Sequence, residues 1–429
     1  MRQSSRLRIL YVSQYFPPEM GAPAARVHEL SREWVRLGQD VTVLTGFAHH
    51  PTGVLAPQDR GRFTRRERID GIDVIRSYVW ATPNRGTVKR MASYASFMLS
   101  AAVIGAVRAK RPDVVIATSP QLLCGCAGYA VARRFNAPFV FEVRDLWPES
   151  IMAVGAMDEN VIIRTLRGVA SFLYRNADQV VTVGHGYRDE IHARYGLPVE
   201  SMQVVPNGVD PNLFVPGPRA NAAREKYGWG DRFVAMYLGT HGMAHALGSV
   251  LQAAKRLESK RDILFVLVGE GAEKESLKAQ AARENLTNVQ FIDQQDKEHV
   301  RLLYAASDVG LVTLRNTPLF QGVLPSKIFE CLGMERGIIL TVDGEARRLV
   351  ESAGAGVFVA PEDPAALAAA VADVATNRER LDEMGRRGRS FVLAHYDRAK
   401  MASRYLEILQ GVARGGDFRH RIPLVSSGK

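Results

Sequence analysis

The sequence predicts an α/β protein of two domains, each built on a mostly parallel sheet wrapped by helices. Two observations carry this reading. Apolar, β-branched runs alternate with helical patterns almost throughout the 429 residues. Several of these runs are unbroken Val/Ile/Leu stretches, as expected of strands covered on both faces.

In chain order, the first half offers strands at Leu7–Ser13, Asp40–Gly46, Ile72–Val79, Asp113–Ser119, Pro138–Asp145, Gln179–Gly184 and Gln203–Pro206. The second offers Phe233–Gly239, Ile263–Gly269, Val289–Asp293, Asp308–Leu314, Gly337–Val342 and Gly356–Ala360. Between the halves, Pro211 to Pro218 is rich in Pro, Gly and Asn and reads as a linker. The expected domains are therefore 1–210 and 211–395. A helix over 396–412 is expected to pack back on the first domain, and 413–429 forms a loosely ordered tail.

The uncharged run Met91–Val107 has Lys89 and Arg90 before it and Arg108, Lys110 and Arg111 after it. It is short for a membrane span, which needs about 20 apolar residues. It leads into Arg111-Pro112-Asp113 and a strand, as a buried crossover helix would. A helix lying in a membrane surface between its flanking cations is the alternative.

Composition narrows the function. Cys124, Cys126 and Cys331 form neither a disulfide framework nor a zinc spacing. A reducing cytosol is the natural compartment. The apolar run after Arg8 is ended by Ser13 and Gln14, so the start does not read as a signal peptide. The net charge of +11 is confined to residues 1–134, which hold 20 Lys and Arg against 9 Asp and Glu. Such a basic half attracts anionic lipid, a phosphorylated substrate or nucleic acid. The basic residues lack the aromatic interleaving of a nucleic-acid surface, so no nucleic-acid partner is expected. Neither domain opens with Gly-x-Gly-x-x-Gly, which argues against a dinucleotide enzyme. His49-His50 has no Cys or acidic partner at ligand spacing, and no metal site is expected.

The strongest constellation is Leu324-Pro325-Ser326-Lys327-Ile328-Phe329-Glu330, followed by Gly337 and a buried strand. Pro325 and Ser326 suit a helix start, whose free N–H groups favour a diphosphate. A cation there opposes the helix dipole, and Lys327 makes sense if an anion sits beside it. Glu330 offers two acceptor oxygens to the vicinal hydroxyls of a ribose. An ordinary amphipathic helix with an exposed Lys and Glu is the competing reading.

Pro-Ser-Lys-x-x-Glu ahead of a Gly and a strand resembles the donor motif of GT-B glycosyltransferases of family 4. The resemblance extends along nearly the whole chain: Tyr11–Gly21 to the first strand and its glycine loop, Val205–Asp210 to the hinge, Leu238–Gly242 and Val268–Gly271 to two donor-domain loops. Phe141–Ser150 resembles a loop of transferases that build bacterial surface polysaccharides, including the N-acetylfucosamine transferases of O-antigen, capsule and colanic-acid pathways. It implies two Rossmann-like domains facing a central cleft. It also implies sugar transfer from a nucleotide donor, with uridine the better guess, to a lipid-linked saccharide acceptor at the cytoplasmic face of the inner membrane. Retention of the anomeric configuration and no metal or other cofactor complete the expectation.

Residue by residue, the resemblance points to Glu330, Lys327, Asp145 and Arg144 for catalysis. Gly239, Thr240, Gly242, Gly269, Glu270, Leu324, Pro325, Ser326 and Asn207 would bind donor; by position alone His241 is a donor contact or a structural residue, and Gly21, Trp147 and His185 are acceptor contacts or, respectively, a turn glycine, a packed ring and a surface loop His. Two positions depart from the family. The first of its paired glutamates falls on Gly322, and the His that often precedes Asp145 is Arg144, which cannot act as a base. Arg144 could hold an acceptor phosphate or orient Asp145. A non-hydrolysing UDP-sugar 2-epimerase and a membrane scaffold with a decayed donor site remain as alternatives.

Overall fold

The computed structural model describes residues 6–49, 52–82 and 87–415. His50 and residues 416–429 of the expected tail lie outside them. The chain divides into two compact units. One runs through Met152, resumes over Met157–Val205 and takes in the chain from Ala402 onward. The other is Ala153–Ala156 with Pro206–Met401.

The first unit contains β1 (Arg8–Val12), α1 (Ala22–Arg36), β2 (Asp40–Gly46), β3 (Thr64–Ile69), β4 (Ile72–Ser77), α2 (Thr87–Arg108), β5 (Val114–Thr118) and α3 (Leu122–Phe135). It continues with β6 (Phe139–Val143), α4 (Glu149–Ala153), α5 (Val161–Asn176), β7 (Gln179–Thr182), α6 (His185–Tyr195) and β8 (Met202–Val204). The sheet order is β3-β4-β2-β1-β5-β6-β7-β8, and every pairing is parallel except β3 with β4. The antiparallel edge strand β3 is absent from the sequence reading. Its sequence, Thr-Arg-Arg-Glu-Arg-Ile, carries charge on both faces, which suits an edge and hides the strand from a hydrophobicity pattern.

The second unit contains α7 (Ala222–Tyr227), β9 (Phe233–Leu238), α8 (Leu247–Arg256), β10 (Ile263–Val268), α9 (Lys274–Arg283), β11 (Val289–Ile292), α10 (Lys297–Ala306) and β12 (Val309–Thr313). It goes on through α11 (Ser326–Gly333), β13 (Gly337–Thr341), α12 (Glu345–Ser352), β14 (Gly356–Phe358), α13 (Pro364–Thr376) and α14 (Arg378–His395). Its sheet is wholly parallel, in the order β11-β10-β9-β12-β13-β14. Apolar clusters cover both of its faces. In each sheet the order reverses at one point, between β1 and β5 and between β9 and β12. Ligands of doubly wound sheets bind beyond the strand ends at that reversal.

The hinge segment belongs to the second unit from Pro206 onward, not from 211. The reason is local. Val209 pairs with Asp397, its N–H donating to the Tyr396 carbonyl and its carbonyl accepting from Arg398 N–H. The last helix, α15 (Arg398–Ala413), then supplies the first unit. Trp34 Nε1 donates to the Ala402 carbonyl at 2.9 Å and the Trp34 ring meets Tyr405 edge-on.

Helix α2 departs from the expected buried crossover. Tyr94, Phe97 and Ala101 are buried, and Gly105 packs so closely that a Cβ there would stand 2.8 Å from Leu44 and Val131. The opposite face is bare: Leu99, Val103 and Val107, spaced one turn apart, are 64, 64 and 72% exposed. Only 28% of its most apolar window is covered. The inner face narrows toward its end to Ala101 and Gly105, while Leu99, Val103 and Val107 point outward.

Behind the strand ends of the first unit lies a buried ion pair. Arg26 Nη2 on α1 stands 2.9 Å from Glu142 Oε1 on β6, both within 1% of full burial. Tyr11 of β1 donates its hydroxyl to the other carboxylate oxygen, and Arg26 also donates to the Val205 carbonyl. Burial alone would raise the Glu142 carboxyl, but Arg26, Arg144 and Tyr11 together hold it below its usual range. Breaking a buried pair strands the partner charge and costs about 3–5 kcal/mol. Glu142→Gln is accordingly expected to lose stability of that order in urea unfolding. A loss below about 1 kcal/mol would contradict the pair's role.

Candidate functional site

In the second unit the site grows from two strand ends in register. Leu238 pairs with Val268, so Gly239 and Gly269 leave the sheet side by side. The ladder continues past the strands: Gly239 N–H donates to the Val268 carbonyl and His241 N–H to that of Glu270, both at 2.9 Å. Both glycines have positive φ, +151° and +143°, and a Cβ on Gly269 would stand 2.0 Å from the Gly239 carbonyl oxygen. Only glycine satisfies both demands. The Thr240 carbonyl accepts from the Tyr237 hydroxyl, while Gly242 has ordinary φ and room for a Cβ. Glu270 is half exposed and paired with Lys274, which also grips Asp293.

Helix α11 starts at Ser326 after Pro325, and no side chain caps its first turn. Those N–H groups remain available to an anion. Lys327 turns back into the site. Its Nζ is buried, lacks a hydrogen-bond partner and sits 3.8 Å from the centroid of the Tyr237 ring. A Cβ on Gly239 would come within 2.9 Å of it. Burial pushes the Lys327 amine down to about 7, with Glu330 pulling the other way. Glu330, one turn along, is half-buried and hydrogen-bonds with the Tyr304 hydroxyl. Leu324 is 6% exposed and its side chain packs into the core, which leaves its backbone beside the start of α11. Asn207 is half-buried beside Gly208 in the hinge.

The same loop buries two histidines. His241 is 0% exposed, and its ring stands 6.0 Å from that of Tyr237. Burial, then the nearby Lys274, pushes it down to about 4. His245, which the sequence reading passed over, lies 5.9 Å from the same ring and is also driven down by burial and Lys327. Its place is fixed from β12: the Thr313 hydroxyl donates to the His245 carbonyl and Arg315 N–H to that of Ala244. The signal available in the sequence was a second His four residues after the first, within a glycine loop.

In the first unit, the loops after β1, β5 and β6 gather at that sheet's reversal. Arg144 donates to the carbonyls of Ala22 and Pro23, which ties the loop after β6 to the start of α1. Gly21, at φ +132°, is the residue before that helix. Ser119 Oγ accepts from both Arg144 and Asp145 backbone N–H groups. Asp145 accepts from the Ser150 hydroxyl, and burial raises its carboxyl to about 6. Trp147 is 9% exposed and its ring packs against that of Tyr94 in a T-shaped contact. His185 is exposed at the first position of α6. Unforeseen neighbours are Tyr15, hydrogen-bonded to Tyr94, and the buried Glu19, which accepts from Phe16 and His49 backbone N–H groups.

Two family models match side by side: "Glycosyl transferase 4-like domain" over residues 21–208 and "Glycosyl transferases group 1" over 220–391. Among curated proteins, the chain is 26% identical to the glycosyltransferase WbjE of Pseudomonas aeruginosa, covering 62% of this chain and 67% of that one. It is 24% identical to WcaI of Escherichia coli (strain K12), named for colanic acid biosynthesis, over 85% of this chain and 91% of that one. Among solved structures, HepE of Anabaena in complex with UDP-glucose superposes with a TM-score of 0.71 at 17% identity, covering 95% and 100% of the two chains. The chain is thus a nucleotide-sugar glycosyltransferase with the GT-B fold. It belongs to the GT-B glycosyltransferases of family 4.

The raised Asp145 carboxyl has a measurable consequence. Its folded value, about 6, exceeds its unfolded value of 3.8. The native state therefore holds the extra proton between those values and loses stability as pH rises through that window. Asp145→Asn removes the buried charge. Its gain in unfolding free energy is expected to be larger at pH 8 than at pH 5, by on the order of 1 kcal/mol. Equal effects at both values would contradict the raised carboxyl.

Proposed function

We propose that this enzyme moves an amino or deoxy-amino sugar from a UDP-linked donor to a lipid-linked saccharide in the building of a bacterial surface polysaccharide. Transfer proceeds with retention and without a metal. The buried, unpartnered Nζ of Lys327 at the uncapped start of α11 carries the reading. As the sugar leaves, negative charge grows on the nucleoside diphosphate. Preorganised N–H groups and a cation in a water-poor site stabilise that charge as it forms. Glu330 accepts from the ribose hydroxyls, with its carboxylate steadied by Tyr304. Asp145, titrating close to neutrality, is suited to take a proton from the acceptor hydroxyl. Arg144 sits beside it to hold an acceptor phosphate. Uridine is favoured by the UDP-glucose bound in HepE, and the polysaccharide setting by the name of WcaI.

A lipid-linked acceptor requires the enzyme to work at a membrane surface, and the first unit carries a fitting face. The bare stripe of Leu99, Val103 and Val107 on α2 adjoins Tyr78 and Trp80, bound to α2 through Ser100 and Ser96. Phe63 packs on Tyr78, and the exposed Arg60, Arg62, Arg66 and Arg68 flank it. An apolar stripe edged by arginines suits the anionic inner face of the cytoplasmic membrane. The enzyme is then cytoplasmic and peripherally bound.

Glu330→Ala and Lys327→Ala should each lower kcat/KM with the native donor by on the order of 10²-fold or more, as loss of preorganised charge stabilisation does. Wild-type turnover in either folded variant would overturn the site assignment. Sedimentation with vesicles tests the surface. Binding to phosphatidylglycerol vesicles should be strong at low salt, weak at high salt and reduced by Leu99→Ser with Val103→Ser. Equal binding to neutral vesicles would remove the electrostatic part.

A further inference from the structure

Three nitrogen bases surround one tyrosine ring at the reversal of the second sheet. Lys327 reaches it from α11, and His241 and His245 from the loop after β9. Lys327 Nζ and Nδ1 of His245 are buried without hydrogen-bond partners, and the buried ring of His241 meets only the Val268 backbone. Burying a polar nitrogen unpaired is costly, and burying it charged costs far more. Such nitrogens gathered at one place describe a cradle built for something the protein itself does not supply.

The surrounding groups do not neutralise it. From α11, Glu330 draws on Lys327 but is hydrogen-bonded to Tyr304 of α10. From the loop after β10, Glu270 is committed to Lys274, whose own charge also acts against His241. From β9 comes only Tyr237, whose hydroxyl is spent on the Thr240 carbonyl. Thr313 and Arg315 bind the loop's backbone, and the backbones of Val268 and Thr313 meet the His241 and His245 rings, favouring their protonation without supplying a counter-charge. Protonating one base therefore disfavours the next, and all three prefer neutrality until an anion arrives.

Resting on the donor reading above, we propose that His241 and His245 complete the diphosphate cradle begun by Lys327, and that donor binding draws protons from solvent onto these bases. Above pH 7 the empty cradle is mostly neutral and avoids the cost of a buried charge. The bound diphosphate provides the counter-charge that each protonated base requires. Donor affinity then falls as pH rises above neutrality, roughly tenfold per pH unit for each proton taken up.

Calorimetry with UDP at about pH 8 tests this in the full-length protein, because the free terminal phosphate, with a pKa near 6, is already fully ionised there. Titrations in buffers of different ionisation enthalpy should give heats that vary linearly with that enthalpy, corresponding to uptake of about one proton per UDP or more. Lys327→Arg, which carries its charge permanently, should bind UDP with less uptake. His245→Gln should weaken UDP binding and flatten its pH dependence, with its fold checked by circular dichroism. Neither heat nor thermal stabilisation with UDP would overturn the donor reading and this inference together. UDP binding with buffer-independent heat would overturn the proton linkage alone. Uptake unchanged in both variants would overturn its assignment to these bases.

Discussion

The second unit is organised around a buried amine with no counter-ion. Lys327 lies over the face of Tyr237, and a ring face attracts a cation far less than a carboxylate would. Burial consequently pushes the amine from the ordinary 10.5 down to about 7. Such an arrangement persists only where its surroundings enforce it. Here the enforcement is steric: Gly239 and Gly269 bring two backbones closer than any side chain permits, and the Tyr237 hydroxyl ties the loop to its own strand. The stability forgone at the strand ends reappears as readiness for an anion, which is how preorganised sites trade one for the other.

The first unit solves a related problem differently. Its buried charges are paired in advance: Arg26 with Glu142, supported by Tyr11. Glu142 is two residues upstream of Arg144, so this pair fixes the strand end from which the Arg144–Asp145 loop departs. Asp145 then inherits a buried position beside Ser119 and Ser150, and its carboxyl rises toward neutrality. Each unit thus holds a buried group shifted toward neutrality, at the point where its strand order reverses.

Much of this was legible in the sequence. Each apolar run read as a strand is one, because parallel strands covered on both faces leave an unbroken hydrophobic signal. β3 was hidden by its alternating charges, which an edge strand tolerates. Met91–Val107 reads as a helix from its composition, and the structure buries one of its faces and bares the other. Composition reports that a helix is apolar, but only packing reveals that Ala101 and Gly105 face inward and leave Leu99, Val103 and Val107 bare. Pro325, Ser326, Lys327 and Glu330 could be placed because a helix start and a one-turn spacing are local. The Arg26–Glu142 pair joins residues 116 apart, and His245 depends on anchorage from β12; neither follows from local pattern.

The state of the Lys327 amine decides the account. Carbon and nitrogen resonances of labelled lysine, assigned through Lys327→Arg and followed across pH, report its protonation directly. A midpoint near 7 is expected in the unliganded protein, rising when UDP is bound. A midpoint near 10.5 in both states, the ordinary lysine value, would contradict it.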